Sequence, residues 1–172
     1  MVQYLVKLIK VLHSETDPGQ ISLGFALGMI PGLTPVSSPH NLLVLFALLF
    51  LRVNLSAATL SWVFFSALGF ALDPFFHRIG IFLLTGVNPL QVFWTTLYNV
   101  PLVPYTRFNN SVVLGSLMVS ILSFYPVYRG GRLMVLRYRA TFLERFNRWR
   151  IVQILKASSL YKWYARFSEL RG

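Results

Sequence analysis

The apolar stretches of this chain come in two lengths. Leu55 to Leu72 and Ser111 to Tyr128 are long enough, at about 1.5 Å per residue, to cross a hydrocarbon core of about 30 Å. Two other helical runs stop early. Pro18 to Ile30 ends at Pro31-Gly32-Leu33-Thr34-Pro35, and Pro89 to Val100 ends at Pro101-Leu102-Val103-Pro104. A run of about 13 residues reaches only ~20 Å, so each enters a bilayer without leaving by the other face. Paired broken segments in the two halves of a membrane chain point to a substrate site near the midplane.

Start signals fix the elements between these runs. Asp17-Pro18 reads as an N-cap followed by proline at the first helical position, and Asn88-Pro89 repeats the device. After the first break, Ser37 or Ser38 caps a helix beginning at Pro39 and running to Leu51, which completes a re-entrant hairpin over 18–52. Asn54 or Ser56 opens the span 55–72, and Asp73-Pro74 opens a short helix over 74–84. The second re-entrant segment covers 89–107, and Asn109-Asn110 precedes the second span, 111–128. Before this membrane domain of 14–128, residues 1–13 form an amphipathic helix with Val2, Leu5, Leu8, Ile9 and Leu12 on one face and Lys7 and Lys10 on the other. After it, the tail 129–172 interleaves aromatic and basic residues, the pattern of a helix lying at a membrane surface.

Composition places the whole in a membrane. The chain is 55% hydrophobic and only 12% charged, with a mean hydropathy of +0.60, outside the range of ordinary soluble domains. Its sixteen basic residues against five acidic ones would suit nucleic acid, yet eleven of the sixteen follow Tyr128. A basic segment flanking apolar helices is explained by anionic lipid and the positive-inside rule. The N- and C-termini are therefore expected in the cytoplasm, with the two broken segments dipping in from opposite faces as an inverted repeat. The N-terminus lacks a signal-peptide pattern, and the absence of cysteine excludes disulfides and thiol chemistry.

Enzymatic candidates are few. His13, His40 and His77 show no metal-ligand spacing, and Ser37 and Ser38 beside His40 lack an orienting acid. No metal, cofactor or catalytic residue is expected, and the chain is not read as an enzyme. Gly24, Gly28 and Gly32 recur every fourth position in an apolar helix, which suits close helix packing rather than nucleotide binding. Polar residues gather at the breaks: Thr34, Ser38, His40 and Asn41 at the first, Asn99 and Tyr105 at the second. They either satisfy a broken backbone or line a ligand site. Arg52 and Arg107, at the edges of the two hairpins, need a partner, a phosphate or a route to the headgroups.

Pro18-Gly19-Gln20-Ile21-Ser22-Leu23-Gly24-Phe25-Ala26-Leu27-Gly28, then Pro31-Gly32, Arg52-x-Asn54 and Asp73-Pro74, resemble a bacterial family of small polytopic inner-membrane proteins catalogued as a domain of unknown function. That resemblance implies no activity. The hairpin layout is also similar to that of membrane proteins proposed to flip lipid carriers, an architectural likeness only.

The expectation is an all-α inner-membrane protein with two opposed re-entrant hairpins, two transmembrane helices and interfacial helices at both ends. Its expected role is binding an anionic lipid headgroup between the hairpins, with Arg52 and Arg107 on the phosphate, and assisting its translocation or export toward the envelope. The alternative is a non-transporting subunit that docks a larger envelope-spanning lipid-transfer or assembly protein. Two spans enclose little volume, so either role calls for a homo-oligomer or a larger membrane or periplasmic partner.

Overall fold

The computed structural model of the protein describes residues 17–143. The amphipathic helix expected over 1–13 and the tail beyond residue 143 lie outside the described residues. Helices α1 (Pro18–Leu33), α2 (His40–Phe50), α3 (Leu55–Ile81), α4 (Asn88–Tyr98) and α5 (Ser111–Tyr138) follow in order, with π-helical turns at Phe82–Gly86 and Arg139–Leu143 and a 3-10 turn at Val103–Thr106. Strands are absent among the described residues.

Three helices make the bundle. Asp17 caps α1 by accepting from the Gly19 and Gln20 amides, and α2 then returns the chain to the level at which α1 began. There Asn54 caps α3 through the Ala57 amide, while its own N–H donates to Gln20 O at 3.1 Å. Helices α1 and α3 therefore run parallel. Helix α5, capped by Asn110, runs back antiparallel to both: Gly115 lies against Phe76 and Gly131 against Ser22.

Small residues set the spacing. A Cβ on Gly24 would stand 2.5 Å from Asn54 O, one on Gly28 would meet Ala58 O, and one on Gly32 would stand 2.9 Å from Trp62 O. Glycine every fourth residue on α1 thus faces carbonyls every fourth residue on α3, and the backbones touch. Gly80 on α3 faces Ser111 O in the same way. Where the bundle is tight, buried serines hold their protons on backbone carbonyls: Ser61 Oγ bridges from α3 to Phe25 O on α1 at 2.5 Å, and Ser22, Ser116 and Ser120 bond within their own helices. Met29 and Leu33 from α1 and Phe76 from α3 form the largest buried apolar group, covered by Val112, Val119 and Phe124 of α5.

Three expected boundaries move. The first break starts after Leu33, not at Pro31, because Pro31 sits inside the last turn of α1. Asp73-Pro74 does not start a new helix: α3 runs unbroken for 27 residues to Ile81 with Pro74 inside it. The second span likewise passes its expected end at Tyr128 and runs to Tyr138, taking in the start of the expected tail. Each proline costs its helix about 3 kcal/mol. At Pro74 the burial of Phe76 and the close fit of Gly80 on α5, two and six residues further on, hold the helix together. Capping also differs at α2 and α4, which begin without the side-chain caps expected from Ser37 or Ser38 and from Asn88.

Two continuous helical stretches, Leu55–Gly86 and Ser111–Thr141, are long and apolar enough to cross a membrane. Helix α1 is shorter, 16 residues or about 24 Å, and ends beside Gly69. The turn from Thr34 to Pro39 therefore lies partway along α3, which continues beyond it for about 18 Å. Helix α4 folds back along the π-helical turn, held by Trp94 Nε1 donating to Leu83 O at 2.8 Å and Gln91 Nε2 to Thr85 O at 2.6 Å. The two broken segments are unequal: α1 is the most buried helix, whereas α4 buries no residue. Helix α1 has a glycine ladder that admits neighbours, and α4 has none.

Candidate functional site

The turn between α1 and α2 is tied by its own side chains. Thr34 Oγ1 lies 2.9 Å from both Ile30 O and Asn41 Oδ1, and Asn41 Nδ2 donates to Pro35 O at 3.0 Å. Ile30 O and Pro35 O already accept the Thr34 and Ser38 N–H groups, so the proton of Thr34 is free for Asn41 Oδ1, and the two side chains tie the end of α1 to the start of α2.

Two other groups here have no such partner. Ser38 is 3% exposed and its Oγ finds no hydrogen-bond partner among the described residues; the same holds for the buried Nε2 of His40. Ser38 borders a cavity of about 270 Å³ between the hairpin and α3. Pro31 of α1, Val44, Leu45 and Leu48 of α2, and Trp62 of α3 form its apolar wall, while Ser37, Ser38 and Asn41 make its polar end.

The second break reaches this end. Arg107 Nη1 donates to Ser37 Oγ at 3.2 Å, joining residues 70 apart in sequence. Arg107 is held in the left-handed region at φ 60°, and Leu102, at the start of the 3-10 turn, at φ 72°. Such residues carry about 1–2 kcal/mol of strain each, and sites of this kind concentrate where a side chain must be aimed. Phe108, next to Arg107, is clamped by stacking on Trp94 and by the edge of Tyr98. Strain and clamp together direct the guanidinium toward the first break.

The remaining candidates stand elsewhere. Arg52 is exposed beside Asn54, at the end of the bundle where α1 begins. Ser37 is at the other end of α1, roughly 20 Å away along that helix, so Arg52 and Arg107 do not face one another across a single space. Asn99 is exposed and donates back to Thr95 O within its own helix, and Tyr105 is exposed in the 3-10 turn. Gly24, Gly28 and Gly32 lie in the α1–α3 contact rather than at the cavity. Sequence reasoning gave no role to Trp62; a tryptophan deep in an otherwise aliphatic and phenylalanine-rich span was the signal that could have found it.

Residues 3–143 match the family described as an uncharacterized protein conserved in bacteria, DUF2062, and the chain belongs to it. A relative from Treponema pallidum (strain Nichols), named only as an uncharacterized protein, is 28% identical over 162 residues, which cover 94% of this chain and 99% of the relative. No solved structure matches the chain.

Proposed function

We propose that this chain is an integral protein of the bacterial cytoplasmic membrane that binds an anionic lipid headgroup where its two breaks meet, and assists that lipid in crossing or leaving the bilayer. Support for a membrane setting comes from exposure. In the apolar windows of the two long helical stretches only 22% and 28% of residues are buried, and Val63, Phe64, Phe70, Ile121 and Leu122 face outward. An apolar belt of that extent is at home in lipid and untenable in water. With α3 and α5 crossing, the α1–α2 hairpin enters and leaves on the side of the basic tail, and α4 dips from the opposite side.

The single observation that carries the ligand is the meeting of Arg107 with Ser37 at the mouth of a cavity whose buried hydroxyl, Ser38, is unsatisfied. Arginine at membrane depth is retained for a partner of opposite charge, and no acidic residue lines the cavity. Arg52, at the far end, has no part in this site. The test is headgroup translocation by the purified protein in vesicles, read as loss of fluorescence from labelled phosphatidylglycerol when a membrane-impermeant reductant is added. Arg107→Ala is expected to reduce the rate at least tenfold and Arg52→Ala to leave it unchanged; equal rates in wild type and Arg107→Ala would refute the reading.

A further inference from the structure

We infer that the cavity beside Trp62 takes one aliphatic chain of an anionic amphiphile, with the head seated on Arg107, Ser37 and Ser38. The inference deepens the proposed function and rests on it for the membrane setting. Three properties of the cavity carry it: the donors at its polar end, the chemistry of its walls and its volume.

The polar end is rich in donors and poor in acceptors. Thr34 and Asn41 are committed to the turn. Arg107 uses one N–H on Ser37, and a guanidinium has five. Ser37 accepts that bond, so its own proton is available, as is that of the buried Ser38. A group with several acceptor oxygens and a negative charge, phosphate or carboxylate, satisfies all three; a choline-type head satisfies none.

The walls are aliphatic apart from Trp62, so the portion of the ligand that enters beneath the head must be hydrocarbon. The room is about 270 Å³. At roughly 30 Å³ for a water-sized group, that admits on the order of nine such groups. This is a stretch of one chain. Leu42 and Val36 at the rim are exposed, so the rest of a longer chain runs out over the apolar face of α2.

The experiment uses the full chain in an uncharged detergent, with Trp149 and Trp163 changed to Phe and Trp94 kept because it clamps Phe108; the same chain with Trp62→Phe supplies the Trp94 signal, which is subtracted to leave that of Trp62. Titration with 12-bromododecyl phosphate is expected to quench Trp62 saturably, by at least half. Arg107→Gln and, separately, Ser38→Ala should raise the half-quenching concentration tenfold or more and threefold or more, while the maximum stays the same. A chain of the same length with a trimethylammonium head should need at least tenfold more. Bromododecanoate tests whether carboxylate serves as well as phosphate, and unbrominated phosphatidylglycerol, which can seat one of its two chains in the slot, should relieve the quenching by competition.

Quenching that is unsaturable, indifferent to head charge, or not relieved by phosphatidylglycerol would overturn the inference. If translocation depends on Arg107 while Trp62 stays unquenched, the cavity assignment falls and the proposed function stands. If Trp62 is quenched as described while translocation is absent, the proposed function falls and the site stands.

Discussion

The backbone carbonyl of Ala58 occupies the place that a Cβ on Gly28 would take. An obstacle made of helix backbone cannot swing aside, so Gly28→Ala must push α1 and α3 apart along their whole contact. The expected loss is at least about 2 kcal/mol, read from unfolding in mixed micelles. Gly130 is the matched control, because a Cβ there meets nothing within 4 Å; Gly130→Ala should be neutral or stabilise by up to about 1 kcal/mol through helix propensity.

Thr34 and Asn41 close the turn as a pair. Thr34→Val keeps the shape and removes the hydroxyl, which leaves Asn41 Oδ1 without the proton it receives at 2.9 Å. The expected cost is about 1–2 kcal/mol. In a double-mutant cycle with Asn41→Ala the two changes should cost less together than their sum. Strict additivity would show that the two side chains do not cooperate.

The bridge from Ser61 to Phe25 O joins two helices whose backbones already touch. Ser61→Ala should lower stability by about 0.6–1 kcal/mol, since Phe25 O also has the geometry of a helical acceptor and is not left bare. Ser61→Leu, which needs space where Ser61 is fully buried, should do far more damage, seen as failure to survive extraction in mild detergent.

In the proposed placement Val36 lies within the membrane although it is 68% exposed on the protein surface. Because the natural sequence has no cysteine, single cysteines report cleanly. In intact vesicles Val36→Cys should resist a water-soluble maleimide and react once detergent is added, whereas Arg52→Cys should react in both. Rapid labelling of Val36→Cys in intact vesicles would place the first break in water and remove the basis for a lipid site there.

Legibility from sequence divides along physical lines. Asp17, Asn54 and Asn110 were readable as helix starts, and the two long apolar helices as such, because capping and hydrophobic length are local properties. The breaks near Thr34 and Pro101 were readable too. The role of two prolines was not: Pro31 and Pro74 lie inside helices, as Pro126 does in the span expected around it, and a local penalty of about 3 kcal/mol is overridden by packing on either side.

The candidate site was legible as a set of residues and not as an arrangement. Thr34, Ser38, His40 and Asn41 share one stretch of chain, so their proximity was implicit in the sequence. That Arg107 and not Arg52 meets them, and that Trp62 walls the cavity, depends on contacts between residues far apart in the chain.

The sequence by itself determined which segments are helical, which are apolar enough to cross a membrane and that the chain breaks near Thr34 and Pro101, since these depend on neighbours within a turn or two. The tertiary structure alone decided which turn faces which and which polar groups are satisfied. A hydroxyl such as Ser38 differs from that of Ser61 in whether folding brings a carbonyl of another helix within reach, and no local pattern encodes that.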